Sequence, residues 1–597
     1  MKFPYGISDF KLLISEGYYY CDRTDRIPLI EEAGKQLIFL RPRRFGKSLL
    51  LNMLANYYDI AKTEQFTQLF GHLKIGENPT VKHNQYVVMT WDFSAVLPMG
   101  NTIELKQALY NYLNVQMLAT YHTYQAYFSE PLLVQEDALM TWHHLLSLIR
   151  QTPYKLYLFI DEYDNFANEV MATKINENQR YAELVYGEGL LKSVFKNIKI
   201  AATGNGLERV FITGVSPIVL ADMSSGYNVV TSIYRLPEFN DLCGFHAEEI
   251  QTVLSKIAEK CAFSAKQQQT AFEVMKQFYN GYSFSLKTDS LVYNPTLALY
   301  FLRHLAQYCE YPDELLDHNL AMDRNRLNYI AQLPHGSAVI ENALDEANTF
   351  SVPKIHDRFG LEDMLNHVQG ENELASLLYY LGVLTLDGTT PFRDTKLRIP
   401  NLVIKSLYVE KLRQLLLPTV QDQDYRKILQ PFIATGNLQE LCDFIASRFQ
   451  VFSNRDYRWS GEMALKTAFL MFLFDDRLYI MDSEPELNRG YADLVMIVRP
   501  DARQYQILDH LLEFKFLSLK TLGLDATQIN ALSETELHAL PAVQTAFTQA
   551  TQQLNSYRPP LLAHYGDALR LKMTAVVALG FERIVWQGIE VNETLIS

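Results

Sequence analysis

The sequence predicts an α/β protein built from three consecutive domains. Its 597 residues are enough for three to four domains of ordinary size, and 48% hydrophobic with 20% charged residues is a typical globular composition. Before residue 235, short apolar runs bounded by polar residues, glycine or proline alternate with amphipathic stretches. Such runs are typical of buried parallel strands. They occupy residues 36–40, 86–90, 157–160 and 210–213.

Changes of pattern along the chain define the predicted domains. We expect a parallel-sheet domain over residues 1–235, a mostly helical domain over 236–425 and an α+β domain over 426–597. The helical domain includes a helix predicted at residues 374–380. The insert that follows, residues 382–417, could form a small winged-helix-like lid, with strands at 382–386 and 397–400 and a helix at 402–417. A polar stretch at 421–425 is predicted to be a linker. The last domain begins with helices and then alternates strands between residues 478 and 516.

The charge balance and the cysteines restrict the class of protein. There are 54 basic and 68 acidic residues, which give a net charge of −14. This excess argues against a surface that binds nucleic acid everywhere, but it allows a local basic cleft. The five cysteines form no CxxC pair, so we expect free thiols. The sequence shows no signal peptide and no apolar run near the length of about 20 residues that spans a bilayer. We therefore expect a cytoplasmic protein without a membrane segment.

Residues 36–48 have the pattern of a phosphate-binding loop between a strand and a helix. In such a unit Gly46 lets the backbone approach a phosphate, Lys47 reaches the β- and γ-phosphates, and Ser48 binds Mg²⁺. Arg41 stands where the consensus GxxxxGK(S/T) has its first glycine. An exposed basic turn is the alternative interpretation.

Two later strand ends carry matching polar groups. Asp161 and Glu162 follow the run at 157–160, where Asp161 would hold a Mg²⁺ ion and Glu162 would polarise the attacking water. Thr213 ends another run and is a candidate sensor of the γ-phosphate. The alternatives are a helix cap for Asp161 and a simple strand-end turn for Thr213. Together with the loop, these residues predict ATP and Mg²⁺ as cofactors.

A second candidate site consists of Asp493, Glu513 and Lys515. The sequence predicts two neighbouring strands here, at residues 491–498 and 505–516. Alternate residues of a strand share a face, so Glu513 and Lys515 point the same way and Asp493 could meet them. Two carboxylates could hold Mg²⁺ against a scissile phosphate while a lysine activates water. Glu462, on the preceding helix, is a further candidate metal ligand. A solvated strand face is the alternative.

Residues 41–49 read RPRRFGKSL, which resembles the signature of a bacterial AAA-ATPase-like family whose members carry a C-terminal PD-(D/E)xK nuclease domain. Other segments similar to the family occur in order at residues 20–24, 161–164, 213–216, 236–241, 279–282 and 293–295. The resemblance implies an AAA-like P-loop domain and a restriction-endonuclease-like C-terminal domain. It also implies that Arg41 and Arg44 belong to the nucleotide-binding loop, because the family has arginines there.

In the C-terminal region, Asp493, Glu513 and Lys515 have the PD-(D/E)xK spacing, although the proline is absent. Gln553 and Tyr557 resemble the residues of a family helix that point back to the site. Two positions depart from the family pattern. Tyr491 stands where the family usually has arginine, and Lys466 stands where it usually has histidine.

These observations predict an ATP-binding and ATP-hydrolysing protein with a Mg²⁺-dependent phosphodiesterase domain. Its substrate would be nucleic acid, with DNA as the first candidate, held in a local cleft, and the nucleotide state would gate cleavage. The alternative, favoured by Tyr491 and Lys466, is a nucleotide-regulated switch or scaffold that binds a partner without cleaving it. The oligomeric state stays open. A homo-oligomer could form through the ATPase domain, and Arg235 could reach a neighbour's nucleotide, but an ordinary surface arginine is the simpler interpretation.

Overall fold

The fold is described from a computed structural model of the chain. It describes residues 1–96, 102–165, 189–219, 227–316, 336–344, 350–360, 370–416, 422–453, 461–482, 486–487, 490–566 and 569–589. In these parts of the chain, none of the helices combines the length and apolar character that a bilayer-spanning segment needs.

The chain divides into two compact units. Unit 1 contains residues 1–309, 321–343 and 350–401, and unit 2 contains residues 310–320, 344–349 and 402–597. The three domains predicted from the sequence, with boundaries at 235 and 425, stay a prediction.

The described strands are β1 (Gln36–Leu40), β2 (Tyr86–Asp92), β3 (Lys155–Asp161), β4 (Leu207–Gly214), β5 (Thr231–Ser232), β6 (Ser351–Val352), β7 (Thr385–Thr389), β8 (Thr395–Arg398), β9 (Tyr479–Asp482), β10 (Glu486–Leu487), β11 (Gly490–Tyr491), β12 (Leu494–Val498), β13 (Asp509–Leu517), β14 (Leu571–Leu579) and β15 (Arg583–Ile589).

The described helices of the first half are α1 (Phe10–Ser15), α2 (Ile27–Ala33), α3 (Lys47–Tyr58), α4 (Phe66–Phe70), α5 (Lys74–Glu77), α6 (Thr102–Thr123), α7 (Ala138–Arg150), α8 (Leu190–Ala201), α9 (Ala247–Cys261), α10 (Ala265–Tyr279) and α11 (Pro295–Tyr308). Those of the second half are α12 (Gly336–Leu344), α13 (Gly370–Leu381), α14 (Leu402–Leu416), α15 (Asp422–Thr435), α16 (Gln439–Ser453), α17 (Gly461–Leu473), α18 (Leu519–Leu522), α19 (Ala526–Ala531), α20 (Glu534–Ala539) and α21 (Pro541–Tyr565).

Unit 1 is built around a parallel sheet of five strands in the order β2-β3-β4-β1-β5. The predicted α/β class and its four buried strands are confirmed. The apolar residues of β1, β3 and β4 are almost all fully buried, as expected for strands covered on both faces. Strand β4 lies between β1 and β3, an order that the sequence pattern did not indicate.

The remainder of unit 1 is mainly helical, as predicted. Local sequence signals explain where its helices begin. Capping boxes start α9 at His246 and α10 at Ser264. Helix α11 starts at Pro295 after Asn294, whose side-chain oxygen accepts two backbone N–H groups. Strands β6, β8 and β7 form a small antiparallel sheet, in which α13 lies between β6 and β7 along the chain. The winged-helix-like interpretation of this region stays a prediction.

The expectation that all five cysteines are free thiols is wrong for one pair. Cys261, the last residue of α9, and Cys309, the residue after α11, form a disulfide with a Cα–Cα distance of 5.5 Å. The sequence did not indicate this pairing because the two cysteines are 48 residues apart and meet only where the two helices end. Cys21, Cys243 and Cys442 are free.

Unit 2 contains a mixed sheet of five strands in the order β15-β14-β13-β12-β9. Only β13 and β14 pair in parallel, and the chain between them includes the long helix α21. The other neighbours pair antiparallel. Helices α17 and α21 both pack against β13, which places the centre of the sheet in the core of the unit.

Arg499 joins the segment at residues 310–316 to the rest of unit 2. Its side chain is fully buried and binds both carboxylate oxygens of Asp501, at 3.0 and 2.7 Å. The same guanidinium donates to the backbone carbonyls of Pro312, Asp313 and Asp476. A buried charge is stable only when its donors are satisfied, so this segment is an integral part of the unit.

Three predicted elements need correction. Residues 422–425 begin α15 and do not form a linker, whereas residue 421 lies outside the described residues. The strand predicted at 382–386 is β7 of the small antiparallel sheet and runs over Thr385–Thr389. The strand predicted at 491–498 is interrupted, because Tyr491 ends β11 and Leu494 starts β12. Asp493 therefore precedes β12.

His510 should make unit 2 sensitive to acid. The ring is fully buried against Phe432, and neither nitrogen has a hydrogen-bond partner among the described residues. Burial, with a smaller contribution from the charge of Lys572, lowers the pKa of His510 to about 3. The unfolded chain binds a proton below about pH 6.5 that the folded chain cannot, so stability is lost as the pH falls below that value. At pH 5 the loss should be about 2 kcal/mol relative to pH 8.

Urea unfolding of the full chain at pH 8 and pH 5 tests this expectation. His510→Phe should keep the ring stacking and reduce the difference between the two pH values by about 2 kcal/mol. His564→Gln, at an exposed position, serves as the control and should leave the difference unchanged. If wild type and His510→Phe lose the same stability between pH 8 and pH 5, His510 is not the cause of the acid sensitivity.

Candidate functional sites

The first candidate site lies at the carboxyl edge of the parallel sheet in unit 1. Because β1, β3 and β4 are parallel, the residues that follow them meet at one edge. Thr213 pairs in register with Phe39, and Gly214 with Leu40 at the end of β1. The position of β4 therefore brings Thr213 between the loop after β1 and the acidic pair at the end of β3.

The loop at residues 41–48 connects β1 to α3. Gly46 caps the helix in the left-handed conformation, with φ of 87°, and a side chain at this position would be strained. Lys47 is buried, and its Nζ lies 3.2 Å from the carbonyl oxygen of Pro42 and 3.6 Å from Oε1 of Glu162. The ammonium group is thus held at the start of α3, where backbone N–H groups favour an anion.

Asp161 is the centre of a small polar network at this edge. Its Oδ1 accepts hydrogen bonds from the Thr213 hydroxyl at 2.5 Å and from the backbone N–H of Glu162 at 3.0 Å. Burial raises the pKa of Asp161, and hydrogen bonds from Ser48 and Thr213 oppose the shift. The structure thus brings together Ser48, Asp161, Glu162 and Thr213, which the sequence predicted as one site.

A cavity of about 300 Å³ opens beside this network. One wall is the loop at residues 44–50 together with Glu162. The other walls come from residues 4–8, 19–23, 242–245 and 295–299, and they include the aromatic side chains of Tyr19, Tyr20 and Phe245. A pocket with cations at one end and aromatic rings among its walls is suited to a ligand with an anionic part and a planar apolar part.

Arg44 supplies an unused donor to this cavity. Its backbone is left-handed, with φ of 66°, and its carbonyl accepts a hydrogen bond from the Thr296 hydroxyl at 2.9 Å. Its Nη1 is buried and has no hydrogen-bond partner among the described residues. An unpaired buried guanidinium nitrogen is costly, and a phosphate oxygen would satisfy it. The residues of the cavity therefore fit a nucleotide phosphate.

Arg41 has a different environment from the one predicted. Its guanidinium is fully buried between the rings of Phe39 and Phe284, at 4.4 and 4.0 Å from their centres. It donates to four backbone carbonyls, those of Leu40, Tyr234, Phe239 and Asn240. Burial lowers the pKa of Arg41 to about 10. These contacts assign Arg41 a role in holding the loop in place, in contrast to the direct nucleotide contact that the sequence suggested.

Two other arginines of unit 1 make ion pairs within their own chain. Arg23, which lines the cavity, binds Glu249 of α9 through both guanidinium nitrogens, at 2.5 and 2.8 Å. Glu249 was not singled out from the sequence, because nothing in the pattern indicates that these distant residues meet. Arg235 binds Asp357 at 3.0 Å, so it is occupied in this structure.

The second candidate site lies in unit 2, where β12 and β13 are neighbours. Asp493 directly precedes β12, and its Oδ2 accepts the backbone N–H of Phe514 in β13 at 2.7 Å. Glu513 and Lys515 lie on β13, with Nζ of Lys515 2.9 Å from Oε1 of Glu513. The structure thus brings together the three residues predicted to form the site.

The two carboxylates are poorly solvated. Glu513 is buried, and its Oε2 has no hydrogen-bond partner among the described residues. The pKa of Glu513 is raised to about 7, first by burial and then by the charge of Asp493, while Lys515 opposes the shift. Burial also raises the pKa of Asp493. An unpaired buried carboxylate oxygen is a feature that a cation would stabilise.

Helix α17 brings two further charged residues to this site. Gly461 lets the start of the helix lie against Phe516 of β13, because a Cβ at Gly461 would overlap the phenyl ring. Lys466 lies one turn after Glu462 and is buried, with its Nζ 4.0 Å from Oδ1 of Asp493. Glu462 is exposed at the rim. Partial desolvation is the main cause of its raised pKa. The charge of Lys515 lowers this pKa, and the charge of Asp493 raises it.

Helix α21 supplies the remaining predicted neighbours. Tyr557 is buried, and its pKa is raised by burial and by the charge of Glu513, while a hydrogen bond with Gln553 lowers it. The side chain of Tyr491 lies outside the described residues.

No group of three His, Cys, Asp or Glu side chains that could hold a metal ion occurs in the parts of the chain that the structure describes. In unit 2 the close carboxylates are two, Asp493 and Glu513, with Glu462 at the rim. In unit 1 they are Asp161 and Glu162. A metal ion at either site would therefore need oxygen ligands from its substrate or from water, as Mg²⁺ commonly has.

A family model of known proteins matches part of unit 1. Residues 4–224 match the model of a family described as predicted AAA-ATPase. The matched region contains the loop at 41–48, the acidic pair after β3 and Thr213. This part of the chain is therefore similar to predicted AAA-ATPases. The match does not extend to the candidate site of unit 2.

A relative and two solved structures are also similar to the chain. An uncharacterized protein from the vnfD 5' region of Azotobacter chroococcum mcd 1 is 24% identical over 438 residues, which are 70% of this chain and 71% of that protein. The Aeropyrum pernix ORC1 protein in complex with DNA is 11% identical, with a TM-score of 0.23, and the match covers 67% of this chain and 96% of that one. The Aeropyrum pernix ORC2 protein in its ADPNP-ADP complexes is 12% identical, with a TM-score of 0.26, and the match covers 67% and 98%. These TM-scores are too low to support conclusions about fold or function.

Replacing Arg41 should destabilise unit 1. Arg41→Leu would remove the donors to four buried carbonyls, each of which costs about 1–3 kcal/mol when it is left unpaired. We expect a loss of at least about 3 kcal/mol in urea unfolding, since some carbonyls will find other partners. Arg43→Leu is the matched control, because the Arg43 side chain is only partly buried. Equal stability of the two variants would contradict the structural role of Arg41.

Proposed function

We propose that unit 1 binds and hydrolyses ATP. The observation that carries this proposal is that Lys47, Ser48 and Arg44, whose Nη1 is unsatisfied, line one cavity, while Asp161 is hydrogen-bonded to Ser48. The match of residues 4–224 to predicted AAA-ATPases supports the same conclusion.

Each residue of the site has a distinct role in the proposed reaction. Lys47 and Arg44 hold the phosphates, and the start of α3 adds backbone donors. Ser48 and Asp161 would hold Mg²⁺, which supplies charge neutralisation on the phosphates when it is bound. Glu162 orients the attacking water, and Thr213 fixes Asp161 through their hydrogen bond. The rings of Tyr19, Tyr20 and Phe245 offer apolar surface for the base.

Binding and hydrolysis should separate in two variants. Lys47→Ala should lower ATP affinity at least tenfold, because it removes a charge-assisted contact worth about 1.5–3 kcal/mol. Glu162→Gln should keep ATP affinity and lower the hydrolysis rate by about 10²-fold or more, because the neutral amide cannot accept a proton from water. Calorimetry and a phosphate-release assay measure the two effects.

Lys35→Ala is the control for these variants, because Lys35 is exposed and pairs with Glu208 on the surface. Unchanged ATP affinity in Lys47→Ala would reject the assigned phosphate site. Unchanged turnover in Glu162→Gln would reject the role of Glu162.

A second proposed function is a Mg²⁺-dependent phosphodiesterase in unit 2, with nucleic acid, DNA first, as the substrate. The observation that favours it is the unpartnered Oε2 of buried Glu513 beside Asp493 and Lys515. Asp493 and Glu513 would hold the metal, which supplies charge stabilisation on the phosphate and a lower pKa for its bound water. Lys515 orients the water and contacts the scissile phosphate, and Glu462 at the rim contributes a ligand through water.

The nuclease proposal predicts that Lys515→Ala abolishes cleavage. Removing the ammonium group should lower Mg²⁺-dependent cleavage of linear and circular DNA by about 10²-fold or more, since general acid–base groups contribute this much. Lys520→Ala, at an exposed position of α18, is the control. If Lys515→Ala cleaves like wild type, Lys515 has no part in the reaction.

If wild type binds DNA in Mg²⁺ but leaves it intact, the alternative function is favoured, namely a switch or scaffold that binds without cleaving. Gating of cleavage by the nucleotide state is a further part of the proposal. Cleavage by wild type and by Lys47→Ala, each with and without ATP, measures it.

A further inference from the structure

Two lysines lie among the carboxylates of the site in unit 2. Lys515 orients the water in the proposed reaction, whereas Lys466 takes no part in it. Lys466 is 8% exposed, comes from a different element, α17, and places its Nζ 4.0 Å from Oδ1 of Asp493. Lys515 occupies the other side, 2.9 Å from Oε1 of Glu513. Each of the two carboxylates thus has its own ammonium group.

Two of the four carboxylate oxygens of Asp493 and Glu513 already accept hydrogen bonds within the protein. Oδ2 of Asp493 accepts the backbone N–H of Phe514, and Oε1 of Glu513 accepts from Lys515. Oε2 of Glu513 has no partner among the described residues, and Oδ1 of Asp493 faces Lys466 at long range. These two atoms and Glu462 at the rim are a small set of protein ligands, which suits one divalent ion completed by water and substrate better than a pair of ions.

The formal charges of the site also favour one divalent ion. Three carboxylates, two ammonium groups, one divalent ion and one phosphodiester monoanion cancel. A second divalent ion would leave two positive charges uncompensated among buried groups, which is unfavourable in a poorly solvated site.

We propose that Lys466 supplies a fixed positive charge in place of a second divalent ion, so that the site in unit 2 binds one metal ion. This inference rests on the proposed phosphodiesterase function, because it names the metal content of that site. The ammonium group of Lys466 lies beside Asp493 and stabilises negative charge there without a metal.

Counting bound Mn²⁺ on the full chain without nucleotide tests the inference. The electron paramagnetic resonance signal of free Mn²⁺ gives the number of bound ions, and ions lost in Glu513→Gln are assigned to this site. Wild type should hold one such ion. Lys466→Met, which keeps the side-chain length, should bind Mn²⁺ at least about tenfold more tightly, because it removes a repelling charge at short range.

Lys466→Arg keeps the charge and should retain one ion at near wild-type affinity, and Lys427→Ala, at an exposed position, should change nothing. Lys466→Gln replaces Lys466→Met if thermal unfolding shows that the methionine variant is not folded. Two Glu513-dependent ions in wild type, or an affinity in the neutral variants within twofold of wild type, would overturn the role of Lys466 and leave the phosphodiesterase proposal intact. The absence of any Glu513-dependent ion would instead reject the proposed metal site itself.

Discussion

The buried guanidinium of Arg41 is the interaction on which the site in unit 1 depends. It joins the end of β1 to carbonyls at residues 234–240 and packs against Phe284, so three distant segments meet at the base of the phosphate-binding loop. A charge in this position is stable only because its acceptors are backbone carbonyls and aromatic faces. The loop can therefore begin with arginine where related loops begin with glycine. Its geometry is fixed by a tertiary contact as well as by local conformational freedom.

The charged groups of the two candidate sites are partnered in different ways. In unit 1 the cations Lys47 and Arg44 border a cavity in which one guanidinium nitrogen has no partner among the described residues, so an incoming anion completes the network. In unit 2 Asp493 and Glu513 each lie beside a lysine, and the unpartnered atom is an anionic oxygen. One site thus offers a place for negative charge, and the other a place for positive charge.

Sequence patterns predicted the parallel sheet, its four buried strands and the convergence of Asp161 with Thr213, because apolar runs and strand ends are local signals. They could not predict that β4 lies between β1 and β3, or that Arg41 turns into the core, since both depend on contacts between distant segments. The disulfide of Cys261 with Cys309 was missed for the same reason. In unit 2 the spacing of Asp493, Glu513 and Lys515 predicted their proximity. The burial of Lys466 beside Asp493 required the packing of α17 on β13.

Unit 2 is discontinuous in sequence, since it takes in residues 310–320 and 344–349 as well as 402–597. Arg499 shows what this discontinuity means, because two of its carbonyl acceptors, Pro312 and Asp313, belong to the first of these pieces. A fragment containing only the C-terminal residues would remove these two acceptors and leave the guanidinium with Asp501 and the carbonyl of Asp476. A chimera that takes this unit from a related protein would need both residues 310–320 and residues 402–597 from that protein, because Arg499 joins the two. The unit is therefore assembled from separate stretches of the chain and is not a self-contained C-terminal segment.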